Sequence, residues 1–155
     1  MQKKERKQKR VLVGGCFDIL HFGHVVFLDN AKKAGTQLFV ALESDEFIRV
    51  RKKREPVHTQ KERAFILQSL QAVDEVVLLP PFSVYEDYLE LVKKIKPDII
   101  AMTENDPQIE NKKKQAKEVG AKVIVVTKQL QSLSSSSIHS YAPFSGDRHT
   151  IRHEE

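Results

Sequence analysis

Cysteine is almost absent from this 155-residue chain, tryptophan is missing altogether, and no apolar run is long. The single thiol, Cys16, cannot close an internal disulfide, so the fold must rest on packing, and a reducing compartment is the natural setting. No stretch approaches the roughly 20 apolar residues that a membrane helix needs. The opening residues are too basic and too polar to hold the apolar segment of a secretory signal, so a cytoplasmic location without membrane attachment is expected. Aromatic residues make up 7% of the chain, and none is interleaved with the basic N-terminal run, which argues against base stacking on single-stranded nucleic acid.

What the chain does have is charge, and apolar content enough for one core. Its length and its 40% hydrophobic fraction suit a single soluble domain. The formal net charge is +5. Much of that excess sits in Lys3-Lys4-Glu5-Arg6-Lys7-Gln8-Lys9-Arg10, which reads as a solvated, flexible tail. Nucleic acid is therefore not expected as a partner, and polyphosphate is. Residues 11–140 read as the folded domain and residues 141–155 as a disordered tail. Ser134-Ser135-Ser136-Ser137 is the one low-complexity patch, and no internal repeat is evident.

Between those tails, strands and helices alternate. Val11-Leu12-Val13 opens a strand, and Val25 to Ala34 reads as a helix with Val25, Leu28 and Ala31 on its buried side, closed by Gly35. Gln37 to Leu42 is a continuously apolar strand, as a buried parallel strand should be. Thr59 with Glu62 forms a capping box for a helix through Ala64, Leu67 and Leu70. Val73 to Leu79, Asp98 to Met102 and Lys122 to Val126 are further strands, separated by helices at Tyr85 to Ile95 and Pro107 to Val119, the latter capped by Gly120. This alternation predicts an α/β, Rossmann-like doubly wound sandwich around a five-stranded, mostly parallel sheet. A right-handed first crossover places the Gly14-Gly15 turn and the end of the second strand on the same carboxyl edge.

The candidate chemistry gathers at that first turn. Adjacent glycines let the backbone approach a ligand, and a helix starting just beyond offers free N–H groups and a positive dipole end to an anion. His21 and His24, three residues apart, share a helix face, and Gly23 leaves that face uncrowded. Gly15-Cys16-Phe17-Asp18 followed by His21-Phe22-Gly23-His24 resembles the GxFDxxHxGH signature of the cytidylyltransferase-like nucleotidyltransferases. That family includes glycerol-3-phosphate and ethanolamine-phosphate cytidylyltransferases, heptose-1-phosphate adenylyltransferase domains and archaeal FAD synthetases. Glu43-Ser44-Asp45, Glu55-Pro56-Val57 and Ala72-Val73-Asp74 bring the chain nearest to the heptose-phosphate adenylyltransferase and glycerol-3-phosphate cytidylyltransferase type. The likeness runs from Val11 to Ile138.

The resemblance implies transfer of a nucleotidyl group from ATP or CTP to a phosphorylated sugar or polyol, with release of pyrophosphate. It assigns His21 and His24 to the α- and β-phosphates, and draws Gly15, Cys16, Phe17, Asp18 and Gly23 into the nucleotide site. Asp18 either orients the turn or caps the helix, and Cys16 is either a packing residue or a reactive thiol. Lys53, with Lys52 beside it in Arg51-Lys52-Lys53-Arg54, is expected in catalysis as part of a closing loop, and Arg63 at the nucleotide or acceptor site. Ser134, Ser135 and Ser136 match an ISTT-type element that binds triphosphate. Magnesium is expected as a companion of the nucleotide, with no dedicated protein cage, and homodimerisation is a further implication. Two departures stand out: Gln129 with Lys128 replaces a family arginine, and Thr103-Glu104-Asn105-Asp106 replaces a glycine-aspartate pair. They leave open the alternative of a nucleotide-binding module impaired in catalysis.

Overall fold

Strand β1 (Arg10–Gly15) buries Val11, Leu12 and Val13, whose side chains alternate between two apolar layers. The computed structural model describes residues 7–127. β1 pairs in parallel with β2 (Gln37–Leu42) on one side and with β4 (Ile99–Thr103) on the other. β3 (Glu75–Leu78) and β5 (Lys122–Thr127) complete a sheet of order β3-β2-β1-β4-β5, parallel at every pairing. This is the doubly wound α/β sandwich that the alternation predicted.

A short helix α2 (Asp45–Phe47) runs on into a helical turn at Ile48–Lys52 after β2, and helices α1 (Phe22–Lys33) and α3 (Gln60–Gln68) cover one face of the sheet, where Phe27, Leu28, Ala31, Ala64 and Leu67 meet Val11, Val13 and Val40. Helices α4 (Tyr85–Ile95) and α5 (Ile109–Val119) cover the other, where Val92, Ile95 and Ala116 meet Leu12, Phe39 and Ile100. The predicted capping box is present: Glu62 N–H donates to the Thr59 hydroxyl, and Thr59 N–H donates to the Glu62 carboxylate at 2.8 Å. Gly120 ends α5 at φ +70°, a left-handed conformation that favours glycine.

One expectation about α1 needs correction. The helix begins at Phe22, three residues before the position read from sequence, and Val25 stands 44% exposed. Leu28 and Ala31 are buried as expected, Phe27 joins them, and the stripe centred on these three leaves Val25 to one side.

The first crossover joins Gly15 to Leu42 in register, so the turn after β1 and the end of β2 share the carboxyl edge. The order of the strands reverses between β1 and β4, β2 and β3 lying to one side and β5 to the other, which opens a crevice at their carboxyl ends where ligands bind in such folds. Lys9 and Arg10, counted with the basic tail from sequence, join the sheet: the Lys9 carbonyl accepts from Thr36 and Gln37, and Arg10 begins β1. Residues 1–6, the serine run at 134–137 and the C-terminal residues 141–155 lie outside the described residues.

Candidate functional site

The crevice between β1 and β4 is a cavity of about 670 Å³. Its floor is the turn from Gly14 to Phe17 together with His21, Gly23 and His24. On the β2 side stand Glu43, Phe47, Arg51, Lys52 and Arg54, and on the β4 side Thr103, Asp106, Asn111 and Lys112.

His21 is the N-cap residue of α1, with extended backbone at φ −134°, and His24 lies one turn on. Their rings stack with centroids 3.8 Å apart and planes 20° from parallel. Phe17 holds φ +44° and meets the His24 ring edge-on at 5.1 Å. A left-handed backbone at a bulky residue stores strain, and such strain gathers at ligand sites. Gly15 makes it feasible, since a Cβ there would lie 2.9 Å from the Phe17 ring.

His21 Nδ1, His21 Nε2 and His24 Nδ1 are buried and have no hydrogen-bond partner. Burial pushes the His21 imidazole below its usual value and pushes His24 down to about 4, where the neighbouring His21 charge adds to the effect against a hydrogen bond to the Ile19 backbone. Both rings are therefore neutral near pH 7 in the free protein. Unpartnered polar atoms of this kind are rare in folded interiors and call for an occupant.

Asp18 is 1% exposed, and its carboxylate oxygens are already engaged. They accept from Val57 N–H at 2.9 Å and His58 N–H at 3.1 Å, and they pair with the Arg54 guanidinium. These partners hold the carboxyl below its usual range despite burial, which works against them. Asp18 thus ties the first turn to the loop before α3 and neither caps α1 nor faces the cavity.

Arg63, expected at the nucleotide or acceptor site, is turned into the protein. It is fully buried and donates to the carbonyls of Cys16 (2.6 Å), Glu43 (3.0 Å) and His58 (3.1 Å), with its last arm on Asp45 at 2.7 Å. Four of its five N–H donors are thus spent inside the protein, and its work is to fix the ends of β1 and β2. Lys53, expected in catalysis, also lies off the cavity: it is exposed at φ +53°, and that left-handed turn sends Arg51, Lys52 and Arg54 to the wall in its place. Cys16 lines the cavity, and burial, the largest influence, raises its thiol to about 11, so it is a packing residue without thiolate character at neutral pH.

Sequence reasoning missed the pair Glu43 and Tyr88. Glu43 ends the second strand's run, is 8% exposed and accepts from the Tyr88 hydroxyl at 3.0 Å. Burial raises its carboxyl to about 7. The charged triplet after an apolar strand was visible, but nothing in it foretold a partner 45 positions on. Within the departing segment, Asp106 pairs with Lys112 at 2.5 Å on the β4 wall. Gln129, Ser134, Ser135 and Ser136 lie outside the described residues. Among the described residues there is no group of three acidic, histidine or cysteine side chains that could hold a metal ion, and no helix is long and apolar enough to cross a membrane.

Comparison with known proteins adds to this geometry. Residues 12–140 match the family model described as cytidylyltransferase-like. The chain is 50% identical over 102 residues to the FAD synthase of Thermococcus onnurineus, a match covering 66% of each chain and so just under two thirds of that protein's length. It is 41% identical over 100 residues to the bifunctional protein HldE of Wolinella succinogenes, covering 64% of this chain and 20% of that one. Among solved structures, it resembles the lipopolysaccharide core biosynthesis protein of Thermoplasma volcanium at TM-score 0.63 and 29% identity, over 79% of this chain and 97% of the other.

Proposed function

The chain belongs to the cytidylyltransferase-like family of nucleotidyltransferases, and from that premise we propose that it adenylylates FMN, using ATP as donor and releasing pyrophosphate to give FAD. Its likeness to an FAD synthase supports this acceptor, whose phosphate is carried on a ribityl chain and is thus a polyol phosphate. The aromatic and apolar wall of the cavity, from Phe47, Leu79, Tyr85 and Tyr88, suits a flat ring better than a bare sugar phosphate.

In the reaction an oxygen of the FMN phosphate attacks the α-phosphorus of ATP. A new P–O bond forms while the bond to the bridging oxygen of the β-phosphate breaks, and pyrophosphate leaves with that electron pair. The protein's share is alignment and charge stabilisation. His21 and His24 face the α- and β-phosphate oxygens, and the free N–H groups at the start of α1 lie beside them. The polyanion favours protonation of these imidazoles, reversing the effect of burial. Arg51 and Lys52 approach from the helical segment after β2. Magnesium, which would arrive with the triphosphate, would find no ligand in the Asp18 carboxylate, which is committed to Arg54, Val57 and His58.

The observation that carries this reading is the buried, stacked histidine pair with three unpartnered nitrogens. The test is pyrophosphate release from ATP or CTP with magnesium, paired with FMN or with a panel of sugar and polyol phosphates. Turnover is expected with ATP and FMN together. Turnover only with a sugar phosphate would reassign the acceptor, and tight nucleotide binding without turnover would make the chain a binding module.

A further inference from the structure

The cavity wall also carries an unpartnered acceptor. Glu43 Oε2 is buried without a hydrogen-bond partner, while Oε1 takes the Tyr88 hydroxyl at 3.0 Å. The residue is fixed at both ends of its peptide: its N–H donates to the Gly15 carbonyl at 3.0 Å, and its carbonyl accepts from Arg63 at 3.0 Å. The carboxylate therefore has one settled position beside the histidine turn. Arg51 from the helical segment after β2, Arg63 from α3 and Lys112 from α5 act on it through space, with Tyr88 of α4 in contact and the Cys16 thiol facing it, and none of the cations supplies Oε2 with a hydrogen bond. A buried carboxylate oxygen left bare carries a full desolvation penalty unless a ligand donates to it. Around it the wall is apolar and aromatic.

We propose that Glu43 is a specificity residue for the acceptor, its Oε2 taking a hydrogen bond from the imide N–H of the isoalloxazine ring while Tyr88 holds Oε1. This rests on the FAD-synthesis reading above. Phe47, Leu79, Tyr85 and Tyr88 enclose the rest of the ring, so the carboxylate is the polar contact that orients it. Below neutrality the carboxyl takes up a proton, since burial raises it to about 7. With Tyr88 on Oε1, that proton sits on Oε2 and faces the imide N–H, donor against donor. The acceptor therefore binds best to the ionised form.

Steady-state kinetics of FAD formation test this, with FMN and ATP varied separately from about pH 6 to 8. For the wild-type enzyme the KM for FMN falls as pH rises through about 7, beyond what FMN's own phosphate ionisation near pH 6 contributes. Glu43→Gln is expected to raise that KM roughly five- to tenfold at high pH by replacing a charged acceptor with a neutral one. It also removes the extra pH dependence, and leaves the KM for ATP and kcat within about twofold, because the lost contact touches only the ring. Tyr88→Phe keeps the charge and removes a hydrogen bond that lowers the carboxyl, so its inflection moves to higher pH. It provides an independent readout if the glutamine variant folds poorly. An N3-methyl FMN analogue should be discriminated by the wild-type enzyme and not by Glu43→Gln. A wild-type enzyme that makes FAD, with either variant keeping the parent's KM and pH profile for FMN, overturns the role of Glu43 alone. A wild-type enzyme that makes no FAD overturns both the acceptor reading and this inference.

Discussion

Replacing Glu43 by glutamine is expected to make the fold more acid-labile than the wild-type protein, by about 3 kcal/mol at pH 4.5. Two buried groups oppose each other there. The His24 imidazole falls from 6.5 in the unfolded chain to about 4 in the fold, so the unfolded state binds more protons between those values and stability is lost as pH drops. The Glu43 carboxyl rises from 4.5 to about 7, so the folded state binds more protons and stability is gained as pH drops through nearly the same window. At about 1.4 kcal/mol per tenfold change in proton affinity, each contributes about 3 kcal/mol, with opposite sign. From about pH 8 to pH 4.5 these two contributions nearly cancel in the wild-type protein, and the depressed His21 imidazole leaves a loss on acidification that the Glu43→Gln variant shares. Glu43→Gln unmasks His24 and loses about 3 kcal/mol over that range, while His24→Asn unmasks Glu43 and gains a similar amount. The lower bound stays at pH 4.5 because Asp18 is held below 3.8 and Glu62 below 4.5, so both titrate beneath the window. Urea unfolding followed by far-ultraviolet circular dichroism gives the stabilities, since the chain has no tryptophan to report. Parallel pH profiles for wild type and Glu43→Gln would refute the opposition of these two groups.

Arg63→Ala should cost about 3–5 kcal/mol, because it strips a fully buried guanidinium from three carbonyls and Asp45; a melting temperature within a few degrees of wild type would contradict the clamp. Nucleotide binding should take up protons at pH 6 to 7, as the triphosphate reverses the depression of His21 and His24. Calorimetry in two buffers of different ionisation enthalpy measures the uptake, and identical heats would argue against an imidazole contact. Lys52→Ala should lower kcat/KM at least about tenfold, whereas Lys53→Ala should change it by less than about threefold, since only Lys52 lines the cavity. The reverse order would place the catalytic lysine where the sequence reading put it.

The parallel sheet, the capping box at Thr59 and the histidine turn were legible because each is encoded locally. Apolar runs of β1 and β2 set buried strands, Thr59 and Glu62 lie three residues apart, and His21 and His24 share one helical turn. Val25 was misplaced because Phe27, which the spacing from Leu28 and Ala31 equally allows, centres the buried stripe on the side away from it. The roles of Arg63 and Lys53 were read from their neighbourhood in the chain, yet direction is set by tertiary contact. Arg63 is drawn inward by the carbonyls of Cys16 and Glu43, 47 and 20 positions away. Glu43 and Tyr88 meet only because α4 packs across the carboxyl edge, which no local pattern announces.

In the proposed reaction the stacked imidazoles grip a triphosphate while FMN attacks it. Coupled pyrophosphate release from ATP and FMN, compared between the wild-type protein and a folded His24→Ala variant, tests it most directly. The expected result is one pyrophosphate for each FAD formed by the wild type, and a loss of at least about a hundredfold in kcat/KM for the variant. A His24→Ala variant that turns over like its parent would contradict the claim.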